Sequence, residues 1–309
     1  MGDVVYAFSC SGIVFAFDKT TGAVRWTYDT KLEEGTQSTF HGEPVVTDEL
    51  LIVAGDIGWV YAFELDTGRT RWKTLAGPLG IYGDLLQAGS LVAGSSSRGG
   101  FFALDLDTGA VLWKVEPDQP GSAMYFSSPV RLGERLYFAE FGSRVSSVVT
   151  ETGEVAWTRD LEAELTTDLA AVDGGLVVGL TGGRLVRLDA STGRTTAAIE
   201  LPEQVVGTPV HAGSALVLTD YSSFLHAVER DLSAVRWSQA GRWSSERVLV
   251  EDGAVVAGSA DGELMAMDLD TGAPLWTKDF EGVIRGIGRS TDTYFVGVQA
   301  GTVYAFRRE

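Results

Sequence analysis

The stretch VVAGSADGELMAMDLDTGAPLW, from Val255 to Trp276, decides the fold of this chain. A close copy of it reads IVAGDIGWVYAFELDTGRTRW from Ile52 to Trp72. Another reads LVAGSSSRGGFFALDLDTGAVLW from Leu91 to Trp113. Three such similar copies in one chain indicate a repeat protein, in which one supersecondary unit recurs along the sequence.

Weaker copies fill the rest of the chain. Three of them end at Trp26, Trp157 and Trp237, and one has Ala197 where the tryptophan would stand. A last copy stops at Phe306, before its tryptophan position. Successive copies end 39 to 46 residues apart, which is the length of one blade in a β-propeller.

Each copy has the pattern of antiparallel β-strands. Small and large apolar residues alternate before an acid, as in Leu264-Met265-Ala266-Met267-Asp268, and this period of two predicts a strand. A turn such as Asp66-Thr67-Gly68 follows, in which Asp can accept backbone N–H bonds and Gly can take a positive φ. A further strand precedes each copy, as at Glu43-Pro44-Val45-Val46, so each unit has four strands.

The prediction is therefore an all-β fold, an eight-bladed β-propeller of four-stranded antiparallel blades in a single domain over residues 1–309. A seven-bladed ring with surplus strands is the alternative. The repeat count gives thirty strands, because the first blade lacks its innermost strand and the last blade its outermost. Since one N-terminal stretch often closes such rings, we expect about 20 to 30 upstream residues that are absent here. The alternative is a natural ring that is closed imperfectly.

The motif Ala-x-Asp-x-x-Thr-Gly-x-x-x-Trp, seen from Ala266 to Trp276 and from Ala103 to Trp113, resembles the tryptophan-docking repeat of pyrroloquinoline-quinone-type propellers. The resemblance spans nearly the whole chain. It implies eight blades and a structural role, packing between neighbouring blades, for six tryptophans: Trp26, Trp72, Trp113, Trp157, Trp237 and Trp276. The same propeller occurs in quinone-dependent dehydrogenases, in an outer-membrane assembly lipoprotein and in sensor domains of bacterial serine/threonine kinases, so the resemblance does not fix a function.

Composition excludes several classes of protein. Lys and Arg number 24 against 42 Asp and Glu, and the net charge of -18 disfavours nucleic acids and anionic membrane surfaces as partners. The single cysteine, Cys10, excludes an internal disulfide. The chain shows no signal peptide and no apolar window of about 18 residues, so membrane insertion is not expected. The predicted location is cytoplasmic as given, or extracytoplasmic if an upstream segment carries a signal or anchor.

Cofactor and metal chemistry have little support in the sequence. Enzymes of the resembling dehydrogenase class use a calcium site with an amide ligand and often a pair of adjacent cysteines, yet this chain contains no asparagine and one cysteine. His41, His211 and His226 belong to different repeats, which disfavours a metal triad, and His226 is interpreted as a core residue. The paired acids Asp105 and Asp107, like Asp268 and Asp270, are interpreted as turn caps. We expect no cofactor, no metal, no quinone-dependent catalysis and no serine-hydrolase elbow.

The candidate ligand site is the channel mouth, formed by the loops before the innermost strands and by the turns between the two middle strands of each blade. Aromatic and charged side chains at these positions suit a pocket for a small molecule or peptide. The main ligand-binding candidates are His41, Tyr82, Tyr125, Phe126, Glu140, Asp220, Tyr221, Trp243 and Arg285. Further residues at the same rim are Asp56, Trp59, Arg98, Thr167 and Val206. Alternatively, these side chains merely plug the channel.

Three functional hypotheses remain open. The first is a non-enzymatic propeller that binds a ligand or protein on one face, such as a sensor domain of a larger protein like a bacterial kinase. The second is an isomerase, cyclase or lyase that moves protons with mouth residues, namely His41, Tyr82, Asp84, Tyr125, Glu140 and Arg285. The third is a structural scaffold of an assembly complex. The long connection DTKLEEGTQSTFH, Asp29 to His41, is interpreted as a lid, a partner contact or a plain surface loop.

Overall fold

The computed structural model describes residues 3–9, 11–97, 100–116, 127–140, 142–243, 248–251, 253–290 and 293–307. Four residues considered above, Cys10, Arg98, Tyr125 and Phe126, lie outside this part of the chain. The chain divides into two compact units, unit 1 (Met1–Leu161) and unit 2 (Glu162–Glu309). The single domain over residues 1–309 stays a prediction.

Unit 1 contains four antiparallel sheets, which we number as blades 1 to 4. Blade 1 has three strands, and its last strand leads into a short helix: β1 (Val4–Phe8), β2 (Ile13–Asp18), β3 (Val24–Asp29) and α1 (Thr30–Glu34). Blades 2 to 4 have four strands each: β4 (Val45–Val46), β5 (Leu50–Ala54), β6 (Trp59–Glu64), β7 (Thr70–Leu75), β8 (Leu86–Ala88), β9 (Leu91–Ser96), β10 (Gly100–Asp105), β11 (Val111–Val115), β12 (Val130–Leu132), β13 (Arg135–Glu140), β14 (Arg144–Val149) and β15 (Val155–Asp160).

Unit 2 contains the other four sheets, blades 5 to 8, of which blade 8 has three strands. Blades 5 and 6 consist of β16 (Ala170–Val172), β17 (Gly175–Leu180), β18 (Arg184–Asp189), β19 (Thr195–Glu200), β20 (Val210–Ala212), β21 (Ala215–Thr219), β22 (Phe224–Glu229) and β23 (Val235–Ala240). Blades 7 and 8 consist of β24 (Leu249–Glu251), β25 (Ala254–Gly258), β26 (Glu263–Asp268), β27 (Pro274–Asp279), β28 (Ile284–Arg289), β29 (Thr293–Val298) and β30 (Val303–Arg307).

These sheets confirm the predicted fold class, an eight-bladed β-propeller, and the seven-bladed alternative is wrong. The described residues form thirty strands, as the repeat count predicted. Blade 1 has no strand before β1 and blade 8 has none after β30 within these residues. Among the described residues no helix has the length and hydropathy needed to cross a membrane.

The core lies between successive blades of each unit, because most middle strands carry buried apolar residues on both of their faces. Strands β5, β9, β17 and β25 are buried along their whole length. Between blades 3 and 4 the rings of Phe101 and Phe138 stack with their centroids 4.0 Å apart. Such near-continuous apolar strands pack the blades face to face.

Trp113 shows how a tryptophan of one blade contacts the next. Its ring is 8% exposed, and its indole N–H donates to the carbonyl oxygen of Thr150 in blade 4 at 2.9 Å. The ring lies on Gly153, where an added Cβ would come within 2.7 Å of it. The same contact to the next blade is made by three other indoles at 2.7, 3.0 and 2.8 Å: Trp26 to Leu65, Trp72 to Leu106 and Trp237 to Leu269.

In blade 5 a side chain of the neighbouring strand takes the role of the missing tryptophan. In other blades a tryptophan pairs across the strands with a small residue, as Trp113 does with Ala103, but in blade 5 Ala197 pairs with Arg187. The guanidinium of Arg187 donates to the carbonyl oxygen of Arg230 in blade 6 at 3.4 Å. The large side chain has moved to the partner strand, and an inter-blade hydrogen bond to the next turn is kept.

The turns of the repeat are held by the acid that ends the preceding strand. Asp105 accepts bonds from the Thr108 backbone N–H at 2.9 Å and from its hydroxyl at 2.6 Å. Asp268 does the same with Thr271. The prediction assigned this role to the Asp of Asp-Thr-Gly, whereas the acceptor observed in these two turns is the acid two residues earlier.

The hydrogen bonds of these turn acids make the stability of the folded chain depend on pH. A side-chain hydrogen bond lowers the pKa of each of these carboxyls. The donor is Thr108 for Asp105, Thr271 for Asp268 and Arg69 for Glu64. A carboxyl whose pKa is lower in the folded chain than in the unfolded chain stabilises the fold at pH values above its unfolded pKa. That stabilisation is lost as the pH falls through the pKa of the folded chain. We therefore expect a constant Tm from neutral pH down to about 5 and a steep fall below about 4, measured by circular dichroism.

A matched variant separates the turn acids from general acid denaturation. Asp105→Asn cannot ionise, so it should lower the Tm near pH 7 and make the loss between pH 5 and 3 smaller than in the unmodified chain. An unchanged acid profile in this variant would contradict the assignment.

Candidate functional site

The long connection between β3 and β4, residues 30–44, begins with the helix α1. Asp29 caps the helix, and its carboxylate accepts bonds from the N–H groups of Lys31 at 2.9 Å and Leu32 at 3.3 Å. Gly35 ends the helix in the left-handed conformation, with a φ of 70°, and its N–H donates to the Lys31 carbonyl. Both ends of this single turn therefore have their backbone groups satisfied.

Thr30 fixes the connection to blade 1. Its side chain is fully buried, donates to the Gly12 carbonyl at 3.0 Å and accepts from the Ser38 N–H at 3.0 Å. Gly12 has no room for a side chain, since an added Cβ would lie 2.5 Å from the Thr30 hydroxyl. The connection thus packs on the β1–β2 turn through one buried threonine that bonds to both segments.

Glu34 fixes the other end of α1 to blade 2. Its carboxylate forms an ion pair with Lys73 of β7 and accepts from the Tyr28 hydroxyl at 2.7 Å. Burial raises the pKa of the Glu34 carboxyl, but the bonds from Lys73 and Tyr28 outweigh burial, so the pKa lies below its ordinary value. The Lys73 ammonium also sits 4.1 Å from the centroid of the Trp59 ring, so this predicted rim residue supports the anchor.

The end of the connection carries two of the predicted mouth residues. His41 and Tyr82 lie with their ring centroids 5.3 Å apart. The His41 ring nitrogen Nε2 is 3.0 Å from the Thr39 hydroxyl, which also bonds to the carboxylate of Asp56. Asp56 further accepts from the Thr39 N–H at 2.9 Å. Three residues from separate loops are therefore joined around an exposed imidazole.

Asp84 links three neighbouring loops. Its carboxylate accepts from the Glu43 N–H at 2.7 Å, and its own N–H donates to the Ser128 hydroxyl at 3.0 Å. Glu140 is 6% exposed and accepts from Arg144 and Ser146 of the next strand. Both acids, which were candidates for proton transfer, hold backbone and side-chain donors in this structure.

Leu32 is the most exposed large apolar residue of this region. It lies on α1 with 82% of its surface accessible. Leu75 at the end of β7 and Leu79 in the following loop are 48% and 44% exposed. Glu34 bonds to Lys73, two residues before Leu75, so the end of the helix lies against the strand that carries the second exposed leucine. We call residues 30–44 together with Leu75, Leu79 and Tyr82 the α1 surface.

The predicted mouth residues of unit 2 differ in exposure and in their hydrogen-bond partners. Trp243 is 8% exposed, and its indole N–H donates to the Gln239 carbonyl at 3.2 Å. Arg285 is exposed and donates to the Gln299 side chain at 3.0 Å. Asp220 is buried, whereas Tyr221 beside it is 76% exposed.

Two further rim candidates of unit 2 differ in their surroundings. The Thr167 hydroxyl accepts from the Gly179 N–H at 2.9 Å, and Val206 is 42% exposed. In the described part of the chain no three His, Cys, Asp or Glu residues come together as a metal site would require. Ligand binding by the mouth residues remains a prediction.

Comparison with known proteins identifies the family. The family described as outer membrane protein assembly factor BamB, built from pyrroloquinoline-quinone-like repeats, matches residues 1–115, 142–245 and 240–309. The chain belongs to this family. A BamB of Yersinia pestis, named outer membrane protein assembly factor, is 25% identical over 99% of this chain and 83% of the relative.

Solved structures agree on the fold. The crystal structure of BamB from Moraxella catarrhalis matches with a TM-score of 0.82 at 20% identity, covering all of this chain and 95% of that one. A quinohemoprotein alcohol dehydrogenase from Comamonas testosteroni matches with a TM-score of 0.76 at 14% identity, covering 96% of this chain and 69% of that one. At these identities the likeness to BamB and to the dehydrogenase concerns the fold alone.

Proposed function

We propose that this chain is a protein-binding scaffold in outer-membrane protein assembly and that the α1 surface contacts its partner. Membership of the BamB family supports the scaffold hypothesis over a kinase sensor domain, because the matched relatives carry the name of an assembly factor. It also favours the extracytoplasmic location over the cytoplasmic one.

The exposure of Leu32 on a firmly anchored helix carries this proposal. A leucine with 82% of its surface in water gains apolar burial only when a partner covers it. The surrounding connection is held by the buried Thr30, by the Asp29 cap and by the ion pair of Glu34 with Lys73. An anchor presented on a rigid base loses little conformational entropy on binding, which is the design of many interface hot spots.

His41 and Tyr82 supply the polar part of the same surface. Both lie where the connection ends, and their rings are in contact at 5.3 Å. Tyrosine and histidine combine an apolar ring with a hydrogen-bonding tip, which suits the edge of a protein interface. In this proposal the partner is a protein with an apolar side chain to cover Leu32 and a polar group for His41.

Replacing Leu32 by glutamate tests the surface. The Leu32→Glu chain should lose at least about 10-fold in affinity for its partner, because a charge would replace the buried apolar anchor. The measurement is capture on the immobilised chain from detergent-solubilised membranes of the source bacterium, quantified by mass spectrometry over a range of chain concentrations.

Leu112→Glu provides the matched control, since Leu112 is 48% exposed on β11, outside the α1 surface. Its captured proteins should equal those of the unmodified chain. Equal loss in both variants, or no loss in Leu32→Glu, would contradict the α1 surface as the contact.

A further inference from the structure

Blade 6 contains a hydrogen-bonded Asp–His–Ser chain that the scaffold function does not use. The ring nitrogen Nε2 of His226 lies 2.9 Å from Oδ2 of Asp220, and Nδ1 lies 2.8 Å from Oγ of Ser238. His226 and Ser238 are direct cross-strand partners of β22 and β23. A nucleophile within reach of a base that a third group orients is the arrangement shared by nucleophilic hydrolases.

The acid and the imidazole are buried, whereas the serine that would meet a substrate is exposed. Asp220 and His226 are 3% and 2% exposed, whereas Ser238 is an exposed residue of the outermost strand. The second carboxylate oxygen of Asp220 accepts from the Phe224 N–H at 2.9 Å, which fixes the carboxylate. Because a carboxylate only accepts, Nε2 of the neutral imidazole carries the proton and Nδ1 offers its lone pair to the Ser238 hydroxyl.

Blade 4 offers an internal comparison at the same register. Glu140 takes the place of Asp220, Ser146 that of His226 and Thr158 that of Ser238, and their side chains are bonded in the same order. Blade 4 therefore repeats the acid and the hydroxyl without an imidazole. Of these two blades, blade 6 is the one that combines an acid and a hydroxyl with an imidazole base.

An apolar side chain stands beside the hydroxyl. Phe224 is 37% exposed, and its ring stacks at 6.1 Å from that of His226. On β23 its cross-strand partner is Ala240, two residues from Ser238 and therefore on the same face of the sheet. A flat acyl or aryl group can lie on Phe224 while its carbonyl carbon approaches Ser238.

We propose that Ser238 is a nucleophilic serine and that blade 6 carries an ester-cleaving site for small aromatic or short acyl esters. The Ser238 oxygen attacks the carbonyl carbon and its proton passes to Nδ1 of His226. The bond to the leaving alcohol breaks as that alcohol takes the proton from His226, which leaves an acylated serine. Water then attacks the acyl carbon, gives a proton to His226 and frees the acid, and Ser238 regains its proton.

The outer edge of β23 supports the negative charge that develops on the carbonyl oxygen. In the described chain β23 is the last strand of its sheet, paired on one side with β22. An edge strand leaves outward N–H groups without a strand partner, and such groups are available to donate to an oxyanion next to Ser238. Asp220 does not touch the substrate and is a positioning residue in this scheme.

A biotinylated fluorophosphonate tests the site on the full chain. Its phosphorus should bond to the Ser238 oxygen with loss of fluoride, and peptide mass spectrometry should place one label per chain on Ser238. Ser238→Ala should remove this label. His226→Gln should slow labelling and p-nitrophenyl acetate hydrolysis at least about 100-fold, the usual contribution of a general base.

Thr158→Ala in blade 4 is the matched control and should leave the labelling rate unchanged. Asp220→Asn should slow labelling, and ¹⁵N NMR should show the His226 proton moved from Nε2 to Nδ1, because the Asn amide then donates to Nε2. Ser238 is exposed, so Ser238→Ala should keep the unmodified circular dichroism spectrum and Tm. Absence of labelling, or labelling that persists in Ser238→Ala, would overturn the proposal without affecting the α1 surface.

Discussion

Replacing Trp113 by alanine should lower the free energy of unfolding by about 3 to 5 kcal/mol. The ring is buried between blades 3 and 4, and its removal leaves a cavity over Gly153 and an unpaired carbonyl at Thr150. Urea denaturation followed by tryptophan fluorescence and circular dichroism measures this loss as a lower midpoint with an unchanged slope.

A neighbouring residue on the same strand serves as the control for Trp113. Val111 is 46% exposed, so Val111→Ala should change the free energy of unfolding by no more than about 0.5 kcal/mol. If Trp113→Ala were as mild as this control, the tryptophan would not be holding two blades together.

Gly109→Ala should cost about 2 to 5 kcal/mol, for two separate reasons. Gly109 has a φ of 69°, a conformation that a residue with a Cβ adopts only with strain. The new Cβ would also lie 2.5 Å from the Trp72 ring, so the docked indole would have to move. Thermal and urea unfolding of the variant measure the sum of the two effects.

Gly89 in the same blade separates backbone strain from the clash. It has a φ of 67° and nothing within 4 Å of an added Cβ, so Gly89→Ala should cost only about 1 to 2 kcal/mol. Adding Gly109→Ala to a Trp72→Ala chain should cost less than adding it to the unmodified chain, although the contact of the new Cβ with the Thr74 hydroxyl at 2.9 Å remains. Equal costs for Gly89→Ala and Gly109→Ala would refute the close approach of Trp72.

The fold was predictable because each blade repeats the same local signals. The alternation before Asp268, the Thr-Gly turn and the tryptophan recur at a regular spacing, and the number of strands followed from counting them. The sequence showed that Ala197 had lost its tryptophan, yet the replacement by Arg187 depends on cross-strand register. Register becomes visible only when two strands are paired.

The site was predictable in part. Loop positions before the innermost strands predicted that His41 and Tyr82 belong to one rim, and their rings are in contact. The exposure of Leu32 depends on how α1 is anchored, which the sequence of a long loop does not reveal. His226 was interpreted as a core residue, and it is buried. Its bonds to Asp220 and Ser238 were missed because they join residues 6 and 12 positions apart through a hairpin.

The scaffold proposal is tested most directly by placing a photo-activated cross-linker at position 32 in living cells. We expect one protein of the outer-membrane assembly machinery to be captured repeatedly from position 32 and not from position 112. Its capture should also decrease when Tyr82 is replaced by alanine. Identical capture from positions 32 and 112, or none from position 32, would contradict the proposal that the α1 surface is where this chain binds its partner.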